Sequence, residues 1–260
     1  MDKETIKKLA GDERFITGIY NYCDSWCERC SFTSRCLSYA ATEREKLSAE
    51  EKDFNNDDFW IKMGEIFELT RDIIQDSAEE MGIDLNMLEP EDVNNEIKCF
   101  EKACEHELAK MSGDYTSKAK FWLANIDNLL QDKEHEFING VSLGIEIEKI
   151  ENDALTLKDA TDVIMFYLFF IKAKIIRALH GKIEGVPEEI EYMPKDWDGS
   201  AKIALIAIER SISAWSVMLQ IFPGEEDFIL SMLVHLKRLH ANLKKEFPDA
   251  MAFVRPGFDE

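Results

Sequence analysis

Beyond the first forty residues, apolar positions recur at steps of three and four, the period of helices that bury one face, and stop signals fall where such stretches end. The pattern predicts an all-α protein, a multi-helix bundle. Asn55-Asn56-Asp57-Asp58 offers N-caps to FWIKMGEIFELTRDII, where Phe59, Met63, Ile66, Phe67, Ile73 and Ile74 form one stripe up to Gly82. Glu89-Pro90-Glu91-Asp92 opens a helix expected to reach about Met111. Gly113-Asp114 is expected to break the chain before a segment carrying Phe121, Trp122, Ile126, Leu129 and Leu130.

Thr156 to Gly181 is the most apolar stretch, and Val163, Ile164, Phe166, Tyr167, Phe169 and Phe170 cover so much of its circumference that it belongs inside a bundle. Gly185 to Gly199, with Pro187, Pro194 and the turn-like Asp196-Trp197-Asp198-Gly199, reads as a long connection. Ser200 to Phe222 and Glu225 to Phe247 then form an antiparallel pair joined at Pro223-Gly224. Apolar Met251, Phe253, Val254 and Phe258 predict that the tail PDAMAFVRPGFDE docks rather than hangs free. The expected organisation is a cysteine-rich segment, residues 1–45, packed on a bundle of residues 46–260 with a possible seam at 183–199.

Residues 22–36, YCDSWCERCSFTSRC, break the helical pattern and hold four of the six cysteines, spaced Cys23-x3-Cys27-x2-Cys30-x5-Cys36. On one unbroken helix Cys23 and Cys30 would share a face but stand about 10 Å apart along the axis, at about 1.5 Å per residue. Thiolates around one zinc lie within about 4 Å of each other, so the chain must fold back near Cys27 for a shared metal. Zinc ligands usually come as two short-spaced pairs from distant parts of a chain, whereas iron-sulfur ligands often come in one compact run. The expectation is therefore a [4Fe–4S] iron-sulfur cluster on Cys23, Cys27, Cys30 and Cys36, with structural zinc on the same residues as the alternative. Arg29 and Arg35 fit both, because thiolates need positive neighbours to stay deprotonated.

Three resemblances attach to these residues. Cys23-x3-Cys27-x2-Cys30 is similar to the three-cysteine signature of radical S-adenosylmethionine enzymes, from which the chain departs by lacking strand and helix units for a barrel and by offering Cys36 as a fourth ligand. CERCSFTSRC resembles the C-x2-C-x5-C segment of iron-sulfur nuclease domains of the Cas4 and AddB type, which implies a cluster; no nuclease core accompanies it. The whole chain resembles an uncharacterised family of bacterial helical proteins with a YCDxWCERC-like segment near the start and a VRPGF-like tail, a likeness that implies no activity.

With 260 residues, 45% of them hydrophobic, the chain can bury a substantial core, and its formal charge of −21 would repel phosphate backbones and anionic lipid surfaces. Neither nucleic acid nor a membrane is expected as partner. The opening MDKETIKKLAGDERF lacks the apolar core of a signal peptide, and the charge-free runs Val163–Ile171 and Ser211–Gly224 are shorter than the roughly 18 residues of a spanning helix. A cytoplasmic location is expected, where clustered cysteines serve metal or redox chemistry rather than disulfides.

The other candidates have plainer readings. Cys99 and Cys104, five apart on a helix, face different ways and read as structural thiols. Asp132-x2-His135 approximates one half of a di-iron motif, but the charged run QDKEHE reads as a solvated face. His235 and His240 do not share a face. Asp162, Lys174, Glu209 and Arg210 sit among apolar helix positions, which predicts either a buried ion-pair network or a polar pocket for an anionic ligand or a metal. The functional expectations are electron transfer or redox sensing by the cluster, a zinc-stapled module that recognises a protein partner, or an enzyme or ligand-binding protein that uses such a pocket.

Overall fold

The computed structural model describes residues 3–45, 56–82, 84, 90–185 and 194–259, and these residues are helical or irregular with no strand among them. The all-α expectation holds. Two compact units divide the chain: Met1–Asn95 together with Val254–Glu260, and Glu96–Phe253.

The first unit contains α1 (Lys3–Ala10), three short 3-10 turns through the cysteine segment, α2 (Leu37–Glu45) and α3 (Asp57–Met81). The ends of α3 are those the sequence announces. Asn56 caps it by accepting a hydrogen bond from the Asp58 N–H at 3.0 Å, and Gly82 closes it at φ 71°, a left-handed conformation that glycine adopts without a Cβ clash. Its stripe is less buried than expected, since Ile66, Phe67 and Ile74 are exposed. Lys3 and Lys7 of α1 pair with Asp76 of α3, and Lys7 also with Glu80. These carboxylates hold the Lys7 ammonium above its ordinary pKa, and the two lysines hold Asp76 below its own.

In the second unit, α4 (Pro90–Glu105), whose last residues from Glu96 belong here, is followed by α5 (Glu107–Leu123), α6 (Asp127–Ser142), α7 (Ile147–Glu184), α8 (Asp196–Ile221) and α9 (Glu226–Glu246). The helix expected to run to Met111 instead breaks at His106, whose Nδ1 accepts the Leu108 N–H at 3.2 Å and so caps α5. Gly113-Asp114, expected as a break, lies inside α5. A Cβ at Gly113 would meet Lys172 Nζ of α7 at an ordinary contact distance of 3.6 Å, so no close approach requires glycine there, and its weak helix propensity, about 1 kcal/mol, does not break the helix. Asp196 to Gly199 is likewise the first turn of α8 rather than a turn before it, with two acidic residues at the positive end of the helix dipole. Of the connection expected at 183–199, residues 186–193 lie outside the described residues, as does Glu89 of the proposed cap to α4.

Helix α8 is the axis of this unit. Gly199, Ser200, Ala201, Ala204, Ala207, Ser211 and Ala214 give it a face of small, buried side chains on which α7 packs closely, with Ile164, Ile171 and Ile175 of α7 fully buried. By length and composition α8 could cross a bilayer, but half of its most apolar stretch is buried within the protein. Trp215 is fully buried against Trp122 in an edge-on contact, ring centroids 5.0 Å apart, and its indole N–H donates to Tyr115 Oη at 3.2 Å. The Thr116 hydroxyl donates to Leu168 O at 2.8 Å and ties α5 to α7. Tyr115→Phe removes the acceptor and strands the buried Trp215 N–H, which is expected to cost about 1–3 kcal/mol. Urea unfolding should show this as a lower midpoint at unchanged slope.

Candidate metal centre

The cysteine segment is built from reversals. Short 3-10 turns run over Ile19–Tyr22, Cys27–Arg29 and Thr33–Arg35, and the residue after each is a cysteine in extended backbone, Cys23, Cys30 and Cys36. Cys27 opens the middle turn. Each 3-10 run is three or four residues long and ends at a residue in extended backbone, so the chain changes direction at each cysteine instead of carrying its thiols apart along one helix axis. The fold-back required at Cys27 is present, although its means is a set of 3-10 turns and not the end of an α-helix. The Ile16 N–H donates to Arg35 O at 3.0 Å and latches the start of the segment to its last turn.

As a result Cys23, Cys27, Cys30 and Cys36 line a single concavity, floored by Ile19, Trp26, Phe32, Tyr39 and Phe258, with about 320 Å³ of atom-free space continuous with solvent. All four are free thiols and half-buried. Among the described residues, the only group of three or more ligand-type side chains with donor atoms all within 4.8 Å of one another involves none of them.

Backbone N–H groups address two of the sulfurs. Ser25 N–H points at Cys23 Sγ and Phe32 N–H at Cys30 Sγ, each at 3.4 Å, contacts that stabilise negative charge on sulfur. Ser25 adopts φ 62° to make its contact, and the neighbouring Asp24 Oδ1 accepts the Trp26 N–H at 3.1 Å, which stiffens that loop. The Arg29 guanidinium stacks on the Trp26 ring at 3.9 Å.

The C-terminal tail completes the concavity. Phe258 meets Phe32 edge-on, centroids 5.0 Å apart, while Gly257 turns at φ 75° so close to the segment that a Cβ there would lie 2.8 Å from Ile16 Cδ1 and 3.1 Å from Ile19 Cδ1. Arg255 pairs with Asp259 at 2.8 Å and closes the turn. The docking expected of Phe258 is thus directed at the cysteine segment, whereas Val254 and Met251 stay exposed.

The donor set suits a metal. Burial pushes the Cys27 thiol above its ordinary pKa, and negative charge on Cys23, Cys36, Cys30 and Glu28 adds to the rise. Four thiolates in one half-buried place repel each other, and a bound cation removes that repulsion.

The remaining candidates are not brought to this place. Cys99 and Cys104 lie on α4 and are half-buried. Asp132 and His135 are exposed, as a solvated face requires. The four charges expected in a buried network are at or near the surface. Asp162 pairs with Lys158 at 3.0 Å, Glu209 with His240 at 2.9 Å, Lys174 lies over the Phe170 ring and Arg210 donates to Tyr167 Oη. Long side chains carry these charges outward while their stems cover apolar surface. A polar-lined cavity does occur in the second unit, about 640 Å³ including open solvent, but Lys133, Asp153, Thr156 and Gln220 line it instead. Comparison of the chain with protein-family models, curated proteins and solved structures found no match.

Three outcomes follow from this site. Because a thiol must lose its proton to bind metal, the raised Cys27 pKa means that metal uptake by the reduced, metal-stripped chain releases protons and tightens as pH climbs through the alkaline thiol range. The same shift makes the stripped fold most stable below the ordinary thiol pKa and progressively less stable as pH rises through the raised one; competitive chelator titrations and urea melts at several pH values measure both. Gly257→Ala, strained by its φ and by Ile16, is expected to undock Phe258 and speed alkylation of the cysteines severalfold, about 1–3 kcal/mol of local destabilisation.

Proposed function

We propose that Cys23, Cys27, Cys30 and Cys36 hold an iron-sulfur cluster of the [4Fe–4S] type, and that the protein transfers electrons or senses redox state through it. The observation that carries this reading is the spacing of the sulfurs: all four line one concavity, yet no three lie within 4.8 Å of one another. Ligands of a single zinc would crowd within about 4 Å, whereas ligands that each hold a different iron of a cluster stand further apart. The concavity meets solvent, which suits electron exchange and loss of the cluster on oxidation. Free thiols in all six positions accord with a reducing, cytoplasmic setting. A protein redox partner is the natural counterpart of such a centre.

Purification without oxygen, followed by visible absorption and analysis of iron and acid-labile sulfide, tests the proposal. A brown protein with about four irons per chain is expected, bleaching in air, with the colour lost in Cys36→Ser. A colourless protein with one zinc per chain would overturn it in favour of the zinc staple.

A further inference from the structure

A second set of ligand-type side chains meets in the helical unit. Glu96 of α4 and His180 and Glu184 of α7 bring their donor atoms within 4.8 Å of one another. His180 and Glu184 are four apart on one helix and so share a face, while Glu96 reaches them from the other helix. Phe100, one turn beyond Glu96, meets the imidazole edge-on with centroids 6.2 Å apart and limits its rotation.

The His180 side chain is 19% exposed, and its Nε2 is fully buried and makes no hydrogen bond among the described residues. Glu96 Oε1 nevertheless lies only 3.2 Å from it. In a hydrogen-bonded ion pair the oxygen sits along the N–H axis. Two ligands of one ion are arranged differently: with metal–ligand bonds of about 2.1 Å, neighbouring donor atoms stand about 3 Å apart and each lies off the other's bond axis. Close approach without alignment, at a buried nitrogen, is the second arrangement.

We propose that Glu96, His180 and Glu184 bind a first-row divalent transition-metal ion through one imidazole and two carboxylates. The mixed donor set favours such an ion over calcium or magnesium, which take oxygen alone, and lacks the thiolates that select softer metals. The carboxylates are exposed, so the remaining coordination positions are open to water. The site owes nothing to the cysteine segment and stands or falls independently of it.

Cobalt(II) separates the two sites in the full-length chain, because thiolate-bound cobalt gives an intense near-ultraviolet charge-transfer band and cobalt bound by nitrogen and oxygen does not. Equilibrium dialysis against Co²⁺ is expected to show about one ion per chain without that band, and Glu184→Gln should weaken it at least about tenfold. His180→Ala should abolish it, and neither variant should alter any charge-transfer band. Glu184 is exposed, so its variant should keep the helical circular dichroism of the parent even if loss of the imidazole disturbs the fold. Equal Co²⁺ uptake by the parent and a folded Glu184→Gln, or no uptake lacking the charge-transfer band, would overturn the proposal.

Discussion

Negative charge confined to a small volume is the constraint around which the cysteine segment is organised. Burial raises the cost of ionising Cys27, and negative charge on the neighbouring cysteines and Glu28 adds to it. Nothing apolar relieves it. What offsets it is positive polarity brought from close by, namely N–H groups turned toward Cys23 and Cys30. The proposed cluster supplies the larger remainder.

This constraint accounts for the irregularity of residues 16–36 within an otherwise helical chain. An α-helix commits its N–H groups to its own carbonyls, so a helical segment has none to spare for sulfur. Successive 3-10 turns leave the N–H groups of Ser25 and Phe32 uncommitted and return the chain to the same place three times. The tail then contributes what the segment lacks, an apolar wall, through Phe258 and a glycine that alone fits against Ile16 and Ile19.

The helical unit follows a different rule, in which shape dominates and charge is kept outside. Small residues along α8 let α7 approach, and the large side chains fill the space beside them. Of the charged residues that look misplaced on a helical wheel, Arg210 reaches the surface on its long stem, and Asp162 is partly exposed beside Lys158. Glu96, His180 and Glu184 are the exception, because there a buried imidazole nitrogen has an acid close by and no aligned partner.

Helix content, the caps of α3, the antiparallel α8–α9 hairpin and the four cysteines as a group were all legible in the amino-acid order, because periodicity, Asn56, Gly82 and close spacing are local signals. Where local signals misled, at Gly113 and at Asp196 to Gly199, a continuous helix runs through these residues, since the cost of a glycine within a helix, about 1 kcal/mol, is small beside the stabilisation of the whole element. His180-x3-Glu184 was visible as a spacing, but its meaning depends on Glu96, more than eighty positions earlier, and no periodicity links them. The same holds for the union of Phe258 with Cys23 at opposite ends of the chain. Sequence alone determined which residues are chemically capable, since that is a property of each side chain and its near neighbours. Tertiary structure decided which of them share a volume, since distance in space is set by the summed packing of remote segments.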